Sequence, residues 1–335
     1  MFPEAQHRVF MLQNRKLWRR AAAELYAYYA MSVTGERFSN EAGIAKFFEK
    51  TSAARSACDA RARELVGGSV VPVRIQDDGS YSVYAGPDLE YVVQFRLKSL
   101  HVKTKTTTLA RTIYGSLVPE VSFQGQLGGE MDGKEPLSVY LMSRIRGITH
   151  LDYILAHGSP ENSQDNFTWR KNLMADVARF FAISWKTPQK VDSAYRDRLG
   201  QEYSQKLQLL LTALPDRFHP HIQGCIRSMG AILSLPMVLT HREFGYRNLI
   251  VNEASCRLVG VVDWAEAEVC PFGLNLKSLE CLTGKLLLRD GWKRYEDHAD
   301  LHRVFWDTFK QEVGGLTEDS KTGYQAGKDH GLTAF

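Results

Sequence analysis

The chain has 335 residues, room for roughly two domains of about 150 residues each. Apolar residues make up 44% and charged residues 24%, the balance of an ordinary globular protein, which excludes disorder over most of the chain and collagen-like or low-complexity architecture. Its 42 Lys and Arg against 38 Asp and Glu leave a formal charge of +4, too mild an excess to call for a nucleic acid partner.

In chain order, Trp18 to Met31 reads as a helix rich in Ala, Leu, Tyr and Arg. A second helix is predicted from Ser52 to Leu65, stopping before Gly67-Gly68. The pattern then turns to strands. Val70 to Gln76 is β-rich, Asp77-Asp78-Gly79-Ser80 is a turn, and Tyr81 to Tyr84 alternates. Gly86-Pro87-Asp88 turns again into a strand over Tyr91 to Leu97. A short helix over Thr106 to Tyr114 and strands near Val121 to Gln124 and Leu137 to Met142 complete a small antiparallel sheet over about 70–146.

Beyond Gly147 the chain becomes mostly helical. Asn166 to Trp185 carries Phe167, Leu173, Val177, Phe180 and Phe181 at helical spacing, which assigns them to core packing. Helices follow over Leu199 to Leu214 and His221 to Leu235. Strand-like runs interrupt them at Leu249-Ile250-Val251 and Leu258 to Val262. Asn275 to Glu312 is predicted helical, and Thr317 to Phe335, rich in Gly, Lys, Asp and Ser, is predicted to be poorly ordered. The expected organisation is α+β: residues 1–146 as helices plus a β-rich lobe, and residues 147–335 as a helical lobe.

No stretch reaches the ~18 uninterrupted apolar residues of a membrane helix, and Met1 to Arg8 has no apolar signal core. The five cysteines are scattered and form no CxxC pair, so zinc ribbons are unsupported. A cytoplasmic protein without membrane or nucleic acid partners is the expectation.

The chemistry concentrates in one segment. His241-Arg242-Glu243-Phe244-Gly245-Tyr246-Arg247-Asn248 is followed by the apolar run Leu258 to Val262 and by Asp263-Trp264. The spacing from His to Asn equals that of the kinase catalytic loop, H-R-D-L-x-x-x-N, and an Asp closes the following hairpin. Phosphoryl transfer needs a carboxylate to take the acceptor hydroxyl proton, which points to Glu243. It also needs oxygen ligands for Mg²⁺, which points to Asn248 and Asp263. His241 opens the candidate catalytic loop and is better suited to bond backbone than to react. Glu266 and Glu268 fit solvated or Arg- and Lys-paired acids, and Arg144 and Arg146 fit salt-bridge or surface roles.

The ending Val261-Val262-Asp263-Trp264 is similar to that of the aminoglycoside phosphotransferase and choline-kinase-like superfamily. Tyr91 to Arg96, Val118 to Phe123 and Cys270 to Asn275 look like segments of the phosphotransferase-like proteins of filamentous fungi. The resemblance covers roughly residues 65 to 312. It implies a bilobal protein-kinase-like fold, with ATP between a β-rich N-lobe and a helical C-lobe. It implies a small-molecule acceptor without naming it.

Four departures accompany the resemblance. Glu243 stands where the family has Asp; its extra methylene moves the carboxylate by about 1.5 Å, and misplacement on the order of 1 Å can cost ~10²-fold in rate. Gln94 stands where the phosphate-binding Lys is expected, with Arg96 or Lys98 on the same strand face as substitutes. The helix over Thr106 to Arg111 lacks the Glu that would pair with that Lys. The loop over the phosphates offers Gly79 and Ser80 beside two carboxylates.

Two functions follow as expectations. One is a phosphotransferase using ATP and Mg²⁺ on a small-molecule hydroxyl, with Glu243 as base, Gly79, Ser80, Gln94 and Arg96 on the nucleotide, and Asn248 and Asp263 on the metal. The other is a kinase-fold protein that transfers no phosphate, serving as an interaction module or as a scaffold reused for another step of secondary metabolism. Gln94, Thr106 and Glu243 favour the second; Asn248 and Asp263 favour the first.

Overall fold

A computed structural model describes residues 40–74, 76–287 and 291–315. The helix predicted over Trp18 to Met31 and the tail from Thr317 lie outside the described residues. The described chain divides into two compact units. One comprises 40–146 together with Gly260–Ala265; the other comprises Gly147–Val259 together with 266–315.

The first unit opens with helices α1 (Asn40–Glu49) and α2 (Arg55–Val66). Its sheet holds β1 (Ser69–Pro72), β2 (Ser80–Gly86), β3 (Tyr91–Leu97), β4 (Val121–Leu127) and β5 (Leu137–Ser143), in the order β1-β2-β3-β5-β4. All the pairings are antiparallel. β1 is shorter than the sequence suggests, because Pro72 lacks an N–H and marks the strand end. Helix α3 (Thr104–Tyr114) lies between β3 and β4, two residues longer at its start than expected.

The period of two gives this sheet unlike faces. Tyr81, Val83, Val93, Phe95 and Val139 are nearly inaccessible and join Ile44, Phe47, Cys58 and Ala62 of the two N-terminal helices in one apolar core. At ~1.5–3 kcal/mol for each large apolar side chain fully buried, this face anchors the sheet. On the opposite face, register aligns Ser80, Arg96 and Ser138 in one row and Ser82, Gln94 and Tyr140 in the next.

The second unit is mainly helical: α4 (His150–His157), α5 (Gln164–Lys186), α6 (Ser193–Ala213), α7 (His219–Arg227), α8 (Met229–Ser234), α9 (Lys277–Leu282) and α10 (His298–Glu312). The single helix expected over His221 to Leu235 is two helices, parted at Ser228. The helix expected over Asn275 to Glu312 is interrupted by a hairpin of β11 (Gly284–Leu287) and β12 (Gly291–Arg294). Gly284 and Gly291 explain the break. Glycine weakens helices, Gly291 has φ 76°, and a Cβ on Gly284 would sit 2.7 Å from the Lys293 carbonyl.

The aromatic residues of α5 pack as expected. Phe181 stands edge-on to Phe244 at 5.3 Å and to Phe305 at 5.7 Å, and Trp185 meets Phe309 at 5.9 Å. The Arg170 guanidinium, half-buried and 3.0 Å from Asp297, joins α5 to the residue that precedes α10. Short strands complete the unit: β6 (Ile148–Thr149), β8 (Leu249–Val251) and β9 (Leu258–Val261), whose last two residues are counted with the first unit, form one sheet, while β7 (Met237–Thr240) pairs with β10 (Glu268–Pro271). Asp176 on α5 fixes the entry to β9. It accepts the Leu258 N–H at 3.1 Å and pairs with Arg257 and Arg179, each at 2.8 Å. Gly147, at φ 149°, permits the approach of β6, since a Cβ there would lie 2.6 Å from the Val251 carbonyl.

Candidate active site

The candidate residues sort into two groups, one in each unit. In the sheet unit, Arg96 is the organising side chain. Its guanidinium is 9% exposed, and its Nε donates to the Leu100 carbonyl at 3.0 Å, just past the end of β3. Its Nη1 donates to Gln94 Oε1 at 3.4 Å and lies 3.8 Å from Asp263 Oδ1. Gln94 turns its amide nitrogen toward Ser82 Oγ at 3.3 Å and Ser80 Oγ at 3.5 Å. Ser80, Gln94, Arg96 and Asp263 therefore form one polar cluster, and Gln94 and Asp263 flank the same cation.

Gly79 is tied into the sheet. Its carbonyl accepts the Leu97 N–H at 3.1 Å, so it extends the β2–β3 ladder, and Ser80 is fully buried. The Gln76 side chain braces the same loop, donating to the Val73 and Ser82 carbonyls and accepting from the Ser82 N–H at 2.8 Å.

Asp263 is displayed by its neighbours. It has φ 64°, a region non-glycine residues seldom occupy, although Asp tolerates it better than most. Trp264 next to it is buried, donates its indole N–H to the Val261 carbonyl at 2.9 Å, and packs on Tyr114 of α3 at 5.1 Å. Gly260 lets the approach close up, since a Cβ there would fall 2.4 Å from Ile145 Cδ1. With Trp264 tucked in, the Asp263 carboxylate is turned outward, 39% exposed.

In the helical unit, the loop from His241 to Asn248 joins β7 to β8. His241 is buried, its ring edge-on to Phe244, which itself packs between Phe180 and Phe181. Asn248 closes the loop by donating Nδ2 to the Glu243 carbonyl at 2.9 Å, while its backbone N–H bonds the Gly245 carbonyl. The amide oxygen is then the end left to serve as an acceptor. Glu243 is half-buried in this loop. Arg242 pairs with Glu268, as the sequence suggested for that acid.

Arg144 and Arg146 form no salt bridge with the described residues of the sheet; they bond carbonyls instead. Arg144 donates to Leu89 and stacks on Tyr84 at 3.7 Å, and Arg146 donates to Asp88, so both brace the β2–β3 turn. No group of three or more His, Cys, Asp or Glu able to hold a metal occurs among the described residues. Asn248 and Asp263 carry an amide and a carboxylate oxygen, the donor types that Mg²⁺ takes. Burial pushes the thiols of Cys58, Cys256 and Cys270 up to about 12, which leaves them protonated and unsuited to nucleophilic work. No described helix is long and apolar enough to cross a membrane.

Sequence reasoning placed Ser82 in the loop over the phosphates rather than on the sheet face, and missed Ser138 on that face and the anchoring role of Trp264. The alternation Ser80-x-Ser82 opposite Gln94-x-Arg96 was the available signal for the first.

Residues 117–274 match the model of a phosphotransferase enzyme family. Among solved structures, the GDP complex of a point mutant of aminoglycoside 2′-phosphotransferase-IIIa superposes with a TM-score of 0.50 at 12% identity, covering 83% of this chain and 85% of that one. A macrolide 2′-phosphotransferase from Brachybacterium faecium gives 0.48 at 13% identity, over 82% and 89% of the two chains. An aminoglycoside phosphotransferase from Streptomyces rimosus, in complex with ADP and streptomycin, gives 0.45 at 14% identity over 81% and 95%. No curated protein matches the chain. The expected resemblance to the aminoglycoside phosphotransferase superfamily is met, and the fold is kinase-like, with a sheet-rich N-terminal part and a helical C-terminal part.

Proposed function

We propose that this kinase-like chain, matched to the phosphotransferase family over residues 117–274, moves the γ-phosphoryl group of ATP to a hydroxyl of a small molecule. The observation that carries the reading is the cluster on the polar sheet face, where the buried Arg96 cation lies 3.8 Å from the outward-turned Asp263. Phosphoryl transfer is governed by positioning and by charge neutralisation, so a rigid cation beside a displayed carboxylate is the equipment it requires. Arg96 would take the nucleotide phosphate, with Gln94, Ser80 and Gly79 shaping the wall around it. Glu243 would receive the acceptor hydroxyl proton on its carboxylate. His241 would hold the loop through packing, and Asn248 would tie it shut while its amide oxygen remains available.

Asn248 and Asp263 would hold Mg²⁺. When bound, the ion would neutralise charge on the transferring phosphates. The GDP complex of a structural relative supports use of a nucleotide here. Streptomycin and kanamycin, each bound to a relative, are polyhydroxylated, and acceptors of that class are the ones to test first.

Thermal unfolding with and without Mg²⁺–ATP tests the reading. A ligand that binds only the folded state raises stability by RT ln(1 + [L]/Kd), about 2.7 kcal/mol at 100 Kd. Asp263→Ala is expected to remove the Mg²⁺-dependent part of the rise with the fold intact. An unchanged response in that variant would assign Asp263 a structural role. One observation favours a second reading, a kinase-fold protein without transferase activity: Gln94, where a cation is expected, is held by Ser80 and Ser82. Nucleotide binding without ADP release across a panel of hydroxyl acceptors would favour it.

A further inference from the structure

We infer that nucleotide phosphate binds this protein without a divalent cation, with Arg96 as the built-in counter-charge, and that it displaces Asp263 from Arg96 as it binds. The inference rests on the phosphotransferase reading and specifies how that site takes up its phosphate donor.

Three features of the sheet unit carry it. Arg96 is a permanent cation, because a guanidinium does not deprotonate in proteins. It cannot swing away easily. It rises from the middle of the sheet, with Ser80 on one side and Ser138 on the other, and its Nε is fixed by the Leu100 carbonyl. Its hydrogen bonding is also incomplete. A guanidinium has five N–H donors; Nε goes to Leu100 and Nη1 to Gln94, while Nη2 bonds no described residue. Among the described residues, the one carboxylate paired with it is that of Asp263, at 3.8 Å, beyond hydrogen-bond range. A buried cation compensated this loosely favours an incoming anion, and the planar fork suits two phosphate oxygens at once.

The position of the cation matters as well. A lysine on a four-carbon stem needs an acidic partner to place it, and α3 supplies none, since its eleven residues run Thr-Lys-Thr-Thr-Thr-Leu-Ala-Arg-Thr-Ile-Tyr. Arg96 needs no such acid, because a backbone carbonyl and Gln94 place it. Gln94 is therefore a brace for the cation rather than a vacant cation position. Phosphate and Asp263 then compete for one guanidinium. Occupation by phosphate releases the Asp263 carboxylate, which makes metal uptake the second event and nucleotide uptake the first.

The test is calorimetric titration of ADP, and separately of tripolyphosphate, in EDTA and in excess Mg²⁺, on the full chain. Wild type is expected to bind in EDTA with a Kd within about threefold of that in Mg²⁺. Arg96→Gln is expected to lose at least about tenfold of the EDTA affinity, the scale of one charge-assisted hydrogen bond. Asp263→Asn, which removes the competitor without removing volume, is expected to tighten binding in EDTA and to abolish any response to Mg²⁺. That variant keeps the inference open to refutation if Arg96→Gln fails to fold. Binding by wild type in Mg²⁺ alone would overturn the inference and leave the phosphotransferase reading standing. Weaker or unchanged EDTA binding in Asp263→Asn would also overturn it. No binding of either probe in either buffer would overturn both.

Discussion

At the residue scale, the proposed phosphoryl transfer is tested most directly at Glu243. A carboxylate at this position can accept a hydroxyl proton, but a general base must come within about 2.6–3.2 Å of it. The Asn248 bond holds the Glu243 carbonyl, so under the proposed function the side chain rather than the loop carries the extra methylene. Glu243→Asp is therefore expected to raise ADP release by about tenfold or more, and Glu243→Gln to reduce it to background. Release is measured by a coupled assay over hydroxyl acceptors; equal background rates in wild type and both variants would overturn phosphoryl transfer. The loop that carries Glu243 was readable from the spacing of His241 and Asn248. The placement of Arg96 was only half readable. Strand periodicity put it on the same face as Gln94, but its fixation by the Leu100 carbonyl depends on how the chain bends after β3, which no local pattern encodes.

At the scale of elements, α4 makes the clearest prediction. His150 is its first residue, buried, and its Nδ1 has no hydrogen-bond partner among the described residues. Burial lowers its pKa from 6.5 to about 4, and the positive end of the helix dipole acts in the same direction. Between those values the unfolded chain binds a proton that the folded chain refuses. Stability is therefore complete above about 6.5 and falls as the pH drops toward about 4. His150→Gln is expected to flatten this part of the profile, as read from urea midpoints between neutral pH and about pH 4.5; a parallel profile would assign the acid sensitivity to other groups. Elements with strong local signals matched their predicted bounds: β3 was recovered residue for residue, and α5 to within two residues at its start and one at its end. The strands that escaped, β6, β7 and β10, are two to four residues long and exist only through partners far away in sequence, and helices α1 and α4 were not predicted either. The β11–β12 hairpin was hidden because apolar and basic residues around Gly284 and Gly291 read equally well as helix.

For the whole molecule, the division into units makes a prediction that no single contact makes. Asp263 and Trp264 belong to the sheet unit, although the sequence on either side of them belongs to the helical one. Trp264→Ala should leave a cavity beside Tyr114 and cost about 3–5 kcal/mol. Hydrogen exchange is expected to accelerate across 40–146 far more than across Gly147–Val259, because local opening follows cooperative units rather than sequence proximity. Equal acceleration in both would contradict the division.

The same arrangement sets a clock on synthesis. Residues 40–146 leave the ribosome without the six residues, Gly260–Ala265, that complete their unit, and roughly 120 more must be polymerised before those arrive. At about 5–20 residues per second the nascent sheet waits some 6–24 s with the Tyr114 surface uncovered. For that interval the chain offers an apolar patch to chaperones, and a ribosome stalled near residue 250 holds a sheet unit that has not yet received Asp263.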